Sequence, residues 1–328
     1  MTALRLGTRR SRLALTQSGT VADTLRALGH EVETVEIVTE GDRSTAALDQ
    51  IGGTGVFASA LRTALREKQI DFAVHSLKDL PTAAESGLTI AAVPVREDVR
   101  DVLVARDGLT LGELPRGARV GTGSPRREAQ LHALGLGLDV VPVRGNVETR
   151  LRLVESGAVD AVVLARAGLL RLGLSDAATE VLDPIQILPA AGQGALAVEC
   201  RADDADLRSL LLALEDADTR ACVRAERAVL RELEAGCIAP VGVLAEVVEG
   251  FDAAELSIRA FVGARDGSLE LRRSLTGDLG DPEGAGIRLA RLLIDDGADV
   301  VREVRPAPSH RPSKSPSTAQ TDTPETLQ

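Results

Sequence analysis

Apolar residues recur along this chain with two periods, and the alternation between those periods gives the architecture. Leu4 to Gly7 reads as a short strand, Arg12 to Leu28 as a helix, and Val32 to Val38 as a strand in which valines alternate with Glu and Thr. This is a βαβ opening. Gly52-Gly-Thr-Gly55 then leads into a helix from Val56 to Lys68, followed by strands at Phe72 and at Leu88 to Val93. The stretch Asp71-Phe-Ala-Val-His-Ser-Leu-Lys-Asp-Leu-Pro81 runs from a buried strand into two opposite charges. Pro81 ends the strand, so Asp79 lies just past its C-terminal end, the edge at which open α/β sheets bind ligands.

After Pro94, the charged run Arg96-Glu-Asp-Val-Arg-Asp101 reads as a crossing into a second α/β unit. Its strands are expected at Val102 to Ala105, Arg119 to Gly121, Asp139 to Val143 and Asp160 to Leu164, with helices starting near Pro125, Val147 and Ala165. Leu188-Pro-Ala-Ala-Gly-Gln-Gly-Ala195 reads as the return crossing. Two lobes joined by two short crossings enclose a cleft and can hinge. Beyond them a helix with Asp218 as N-cap and Gly236 as its C′ residue carries apolar Cys222, Ala225, Val229 and Leu233 at helical spacing. Alternating strands follow at Val241 to Val248, Leu256 to Val262 and Leu269 to Leu275, and then a helix near Gly284 to Leu293. The expected organisation is lobe 1 over 1–95 and 195–215, lobe 2 over 96–194, a small α+β domain over 216–305, and a disordered Pro/Ser/Thr-rich tail over 306–328.

Composition narrows the function classes. The 328 residues carry a net charge of −11 and include four Phe but no Trp or Tyr, so the core is aliphatic and a general nucleic-acid surface is disfavoured. Only Lys68, Lys78 and Lys314 are lysines; the remaining cations are arginines. Cys200, Cys222 and Cys237 form no CxxC pair, which suits a reducing cytosol. Cys200 and Cys222 lie in apolar patterns and are expected to be buried. Arg9-Arg10 is followed by polar Thr16, Gln17, Ser18 and Asp23 instead of an apolar signal segment, and no window is apolar enough for a membrane span. Four scattered histidines give metal ligation little support, and His75 reads as a core or supporting residue.

Four strand-to-helix junctions share a run of arginine or glycine ending in a cap residue: Thr8-Arg9-Arg10-Ser11, Gly52-Gly-Thr-Gly55, Gly121-Thr-Gly-Ser-Pro-Arg-Arg127 and Arg144-Gly-Asn-Val-Glu-Thr-Arg150. Ser124 as N-cap with Pro125 at N1 aims free N–H groups and two guanidiniums into one space, and Asn146 can cap the next helix. Each junction alone also reads as an ordinary cap beside a solvated arginine. Four in one two-lobed chain favour a shared polyanion, and arginine forks match carboxylates. No phosphate-loop run GxxxxGK[ST] is present. Two readings of Asp79 stay open, a proton-handling carboxylate or half of an ion pair with Lys78. Cys237 is either an attachable loop thiol or a semi-buried structural one. A solute-binding protein or ligand sensor would use the same cleft without needing the Cys237 domain, and an interaction module acting through the tail would leave the arginines unused.

Taken together, His75-Ser-Leu-Lys-Asp-Leu-Pro81, Gly121-Thr-Gly-Ser-Pro-Arg-Arg127, Arg144-Gly-Asn146 with Arg150, Leu188-Pro-Ala-Ala-Gly-Gln-Gly194 and Gly236-Cys-Ile-Ala-Pro240 resemble the motifs of the porphobilinogen deaminase (hydroxymethylbilane synthase) family, in order from about Leu4 to about Val304. The resemblance implies two lobes similar to the type II periplasmic-binding fold. It also implies a third domain carrying a dipyrromethane cofactor through a thioether to Cys237. The implied activity is the stepwise addition of four porphobilinogen molecules with loss of ammonia, then hydrolytic release of linear hydroxymethylbilane, by a monomeric cytoplasmic transferase of tetrapyrrole biosynthesis with no nucleic-acid or membrane partner. Asp79 takes the catalytic position, helping to expel the amino group, stabilise a cationic intermediate and remove the pyrrole α-proton. Lys78, Ser76, Ser124, Arg126 and Arg127 fall at cofactor-contacting positions, and Arg9, Ser11, Arg144, Arg150, Arg171 and Gln193 at substrate-contacting ones. Where many members carry lysines around the Gly-rich loop, this chain has Gln50 and Thr54, and Thr39-Glu-Gly-Asp42 replaces Thr-Arg-Gly-Asp.

Overall fold

The computed structural model describes residues 3–37, 56–235 and 239–298. Gln50, Thr54 and the Gly-rich loop, Thr39 to Asp42, Gly236, Cys237 and the tail from 306 lie outside the described residues. Lobe 1 opens with β1 (Leu4–Thr8), α1 (Arg12–Ala27) and β2 (Val32–Glu36), then α2 (Val56–Arg66), β3 (Phe72–Ser76) and β4 (Leu88–Ala92). Lobe 2 comprises β5 (Asp101–Ala105), β6 (Arg119–Thr122), α3 (Pro125–Ala133), β7 (Asp139–Pro142), α4 (Val147–Glu155), β8 (Ala161–Ala165), α5 (Arg166–Leu172) and β9 (Glu180–Val181). The chain returns through β10 (Leu196–Arg201) and α6 (Ala205–Leu211) into α7 (Ala217–Glu232), the hairpins of β11 (Val241–Glu249), β12 (Ala254–Gly263) and β13 (Glu270–Asp278), and finally α8 (Pro282–Asp295).

The strand order is β2-β1-β3-β10-β4 in the first sheet and β7-β6-β8-β5-β9 in the second, with a separate β11-β12-β13 meander. Each lobe borrows the strand that follows a crossing. β5 enters the second sheet antiparallel to β8, and β10 enters the first antiparallel to β3. That reciprocal insertion is the type II periplasmic-binding arrangement, and it brings both crossings to the same side of the cleft. Among the described residues no helix is long and apolar enough to cross a membrane.

β10 escaped the periodicity reading because five of its six residues are buried, so it shows no apolar/polar alternation. The N-cap of α7 is Asp216, whose carboxylate accepts from Thr219 N at 2.8 Å, and Asp218 is the second residue of the helix. The expected apolar face holds: Cys222, Ala225, Val229 and Leu233 pack with β11, β12 and α8 in one core. The left-handed residue that ends α7 is Glu234, at φ 52°, instead of a glycine.

Candidate active site

β3 is buried along Phe72 to His75 and ends in a single 3₁₀ turn over Leu77–Asp79. Leu77 N donates to Ala195 O at 3.0 Å, which ties the turn to the return crossing. Gly192 and Gly194 adopt φ of +73° and +85°, and a Cβ on Gly192 would lie 3.3 Å from Lys78 N while one on Gly194 would meet Glu97 O at 2.3 Å. The glycines of the crossing therefore serve close backbone approach, not phosphate binding. Asp79 is exposed, and no hydrogen bond or ion pair joins it to another described residue. Lys78 takes a different path: its Nζ donates to Gln193 Oε1 at 3.4 Å, so the local Lys78–Asp79 ion pair does not form.

At the opposite wall Pro125 occupies N1 of α3, and Ser124 sits at the cap position without a side-chain cap bond, leaving its hydroxyl uncommitted to the helix. Arg126 and Arg127 are buried. Arg126 donates to Asp101 Oδ2 at 2.8 Å and to Leu188 O at 2.6 Å, and Arg127 to Asp101 Oδ1 at 2.8 Å and to Val163 O at 2.9 Å. Burial alone would raise the Asp101 pKa, but the two guanidiniums overrule it and hold the carboxyl well below its ordinary range. Burial also lowers the Lys78 ammonium to about 8, with Asp79 and Asp101 opposing that shift and Arg127 and Arg126 adding to it.

Asn146 caps α4, accepting from Thr149 N at 2.8 Å as its spacing implies. One turn on, Arg150 is pushed down to about 10 by burial and by repulsion from Arg127 and Arg144. Arg150 also donates its Nε–H to Gly145 O at 2.9 Å. Arg171 on α5 is also lowered by burial, against the pull of Glu97, and donates to Gly194 O at 2.7 Å. Arg9 is half-buried at the end of β1. Ser11 caps α1 by accepting from Ala14 N at 3.3 Å, and Ser76 Oγ accepts from the buried Gln17 Nε2 at 3.0 Å.

Gln193 departs from its expected role. It is fully buried, its amide nitrogen donates to Val99 O at 2.7 Å and Asp101 Oδ1 at 2.8 Å, and its oxygen faces Lys78. It supports the site from behind instead of lining the cleft. His75 is a supporting residue as expected, with Nε2 3.3 Å from Glu199, which also receives Arg62 at 2.9 Å. The residues that sequence reading missed are acidic: Asp101, Glu199 and Glu226. Asp101 closes the charged run assigned to a crossing, and nothing local marks it as the partner of arginines 25 and 26 positions on.

Arg126 and Arg127 each keep a buried Nε–H that has no acceptor among the described residues. A buried donor left unmet costs about 1–3 kcal/mol. Carboxylates entering the cleft would supply those acceptors, so the donor set fits a ligand bearing several of them.

Fold and site together define a two-lobed α/β protein with an arginine-rich cleft, one exposed acid at its edge and a third domain packed on both crossings. A family model described as porphobilinogen deaminase, dipyromethane cofactor binding domain, matches residues 4–209, and one described as porphobilinogen deaminase, C-terminal domain, matches residues 220–295. Curated porphobilinogen deaminases are similar along most of the chain. The Mycobacterium tuberculosis H37Rv protein is 57% identical over 300 residues, covering 90% of this chain and 97% of its own length. The Nocardia farcinica protein is 58% identical over 305 residues, covering 90% and 87%. The chain belongs to the porphobilinogen deaminase family, and it is a transferase of tetrapyrrole biosynthesis that makes hydroxymethylbilane. Solved structures to which the chain is similar include the methionine-binding protein MetQ, with 13% identity, 65% and 89% coverage and a TM-score of 0.43. A periplasmic substrate-binding protein from Coxiella burnetii has 16% identity, 64% and 91% coverage and a TM-score of 0.41.

Proposed function

We propose that Asp79 is the proton-handling carboxylate for every condensation step, and that the cations around it hold the acetate and propionate groups of porphobilinogen and of the growing chain. The observation that carries this reading is the placement of Asp79: it is exposed at a strand end, close enough to Lys78 to act on its charge, yet makes no hydrogen bond or close ion pair with another described residue. A carboxyl group so placed can, as the acid, donate a proton to the departing amine and, as the carboxylate left behind, accept one from carbon. Arg126 and Arg127 offer their unspent Nε–H groups to a carboxylate, Ser124 its hydroxyl, and Lys78 a compact charge beside Asp79. Arg150, Arg144, Arg171, Arg9, Ser11 and Ser76 extend the polar wall for a chain that gains two negative charges per unit.

The dipyrromethane, when bound, supplies the pyrrole carbon to which successive units are joined. We assign its thioether to Cys237 in the C-terminal domain, while the cofactor's side chains rest on the lobes, which is where the family's cofactor-binding region lies. We take the domains to extend over 1–95 with 195–215, over 96–194 and over 216–305. A monomeric cytoplasmic enzyme without nucleic-acid partners accords with the acidic balance. The decisive experiment is Asp79→Asn, with intact mass and turnover measured on the same preparation. The expected result is an unaltered cofactor mass and a turnover lower by about 10²–10⁴-fold; near-normal turnover with cofactor in place overturns the assignment.

A further inference from the structure

We propose that Asp101 is a positioning residue of this active site, whose buried carboxylate fixes Arg126, Arg127 and the amide of Gln193 and, through Gln193, sets Lys78 beside Asp79. The significance of that placement rests on the reading of Asp79 above; the linkage itself rests on geometry. Asp101 is completely buried at the first position of β5. Its Oδ1 accepts from both Arg127 and Gln193 at 2.8 Å, and its Oδ2 accepts from Arg126 at 2.8 Å. Because Gln193 Nε2 is spent on Asp101 and on Val99 O, the other end of the amide must present its oxygen to Lys78. A single carboxylate thus orients donors from α3, the return crossing and, one step removed, the turn after β3. These belong to both lobes.

Lys78 is faced by Asp79 on its own turn, by Arg126 and Arg127 from α3, and by Asp101 from β5, with the neutral Gln193 between. Two of those neighbours are cations that favour loss of its proton, and Asp101 is the interior anion opposing them. Asp101→Asn removes that anion. It also turns an NH₂ group toward a guanidinium, so Arg126 or Arg127 loses its acceptor. Gln193→Leu keeps every charge and removes the amide that joins Asp101 to Lys78, together with its bond to Val99 O. Loss of the Asp101 charge also reaches Lys78 through space, so Gln193→Leu is the discriminating variant: a purely structural role for the Asp101–Gln193 contact would alter stability there without moving the titration of Lys78.

The chain makes this measurable because it contains only Lys68, Lys78 and Lys314. Trace acetylation of the holoenzyme across the alkaline range, read by peptide mass spectrometry, gives a protonation midpoint for Lys78 with the other two lysines as internal standards. The wild-type midpoint should fall near about 8. In Asp101→Asn and in Gln193→Leu it should fall by about 1 unit, and the alkaline limb of kcat/KM should move with it. A Lys78 midpoint unchanged in Gln193→Leu overturns the proposal, whether or not Asp101→Asn is recovered folded. The two readings separate cleanly. An active Asp79→Asn enzyme with shifted Lys78 midpoints removes the catalytic assignment and keeps the linkage, whereas an inactive one with unmoved midpoints does the reverse.

Discussion

Glu226 of α7 and Arg96 of the first crossing form a bidentate pair, with Nη1 to Oε1 at 2.7 Å and Nη2 to Oε2 at 3.0 Å. The same buried carboxylate accepts from Gly192 N of the return crossing at 2.6 Å and from Ala245 N of β11 at 2.9 Å. Arg96 in turn donates to Gln193 O at 2.8 Å. One side chain of the C-terminal domain therefore clasps both crossings. Glu226→Ala should destabilise the protein by about 3–5 kcal/mol, because it strands a nearly buried guanidinium and two backbone donors. Urea unfolding measures this, and a loss below about 1 kcal/mol would show that the joint is held elsewhere.

The buried ammonium of Lys78 makes stability depend on pH in a definite sense. Its pKa falls from 10.5 to about 8 on folding, so between those values the unfolded chain binds more protons than the native one. Stability from this group rises as pH climbs from about 8 toward 10.5, and the penalty is fully present below 8. Lys78→Met should therefore stabilise the protein at neutral pH by up to about 3 kcal/mol, with the gain vanishing above pH 10.5. Unfolding of both proteins at neutral and alkaline pH tests it, and the absence of tyrosine keeps that range free of phenol titration. The variant should lose activity while gaining stability, as expected where a strained charge serves the site.

Glu234 ends α7 in the left-handed region at φ 52° with its side chain exposed. Glycine meets no Cβ penalty there, so Glu234→Gly should raise stability by roughly 0.5 kcal/mol, the relief of strain being partly offset by a freer unfolded chain. A β-branched residue should do the opposite: Glu234→Val is expected to cost about 1–2 kcal/mol. Thermal unfolding that ranked Val above Gly would contradict the backbone reading.

The cofactor attachment is open to a direct mass test. Cys200 and Cys222 are buried, and burial pushes their thiols up to about 11 and about 12, so neither offers appreciable thiolate at neutral pH. Cys237→Ser should yield protein of unmodified mass, whereas Cys200→Ser should retain the added mass of two pyrrole units. Retention in Cys237→Ser would sink the assignment.

By itself the sequence determined the local elements and the motif-bearing turns. The β-branched run from Val32 to Val38 marked β2, the spacing of Cys222, Ala225, Val229 and Leu233 marked the buried face of α7, and Pro81 placed Asp79 past the end of β3. Those features depend on residues near one another in the chain, so they are written in local order. Only the tertiary structure decided which charges meet. β10 carries no alternation because it is buried on both faces, and its insertion between β3 and β4 is a contact across more than a hundred residues. Asp101 read only as the end of a charged crossing, and folding buries it against Arg126, Arg127 and Gln193. An ion pair between Lys78 and its neighbour Asp79 was one of two readings open in the sequence, and Gln193 engages the ammonium instead. Chain proximity brings two charges near each other, but burial and the competing donors around them determine which pair forms, and here that leaves Asp79 without a hydrogen bond or close ion pair among the described residues.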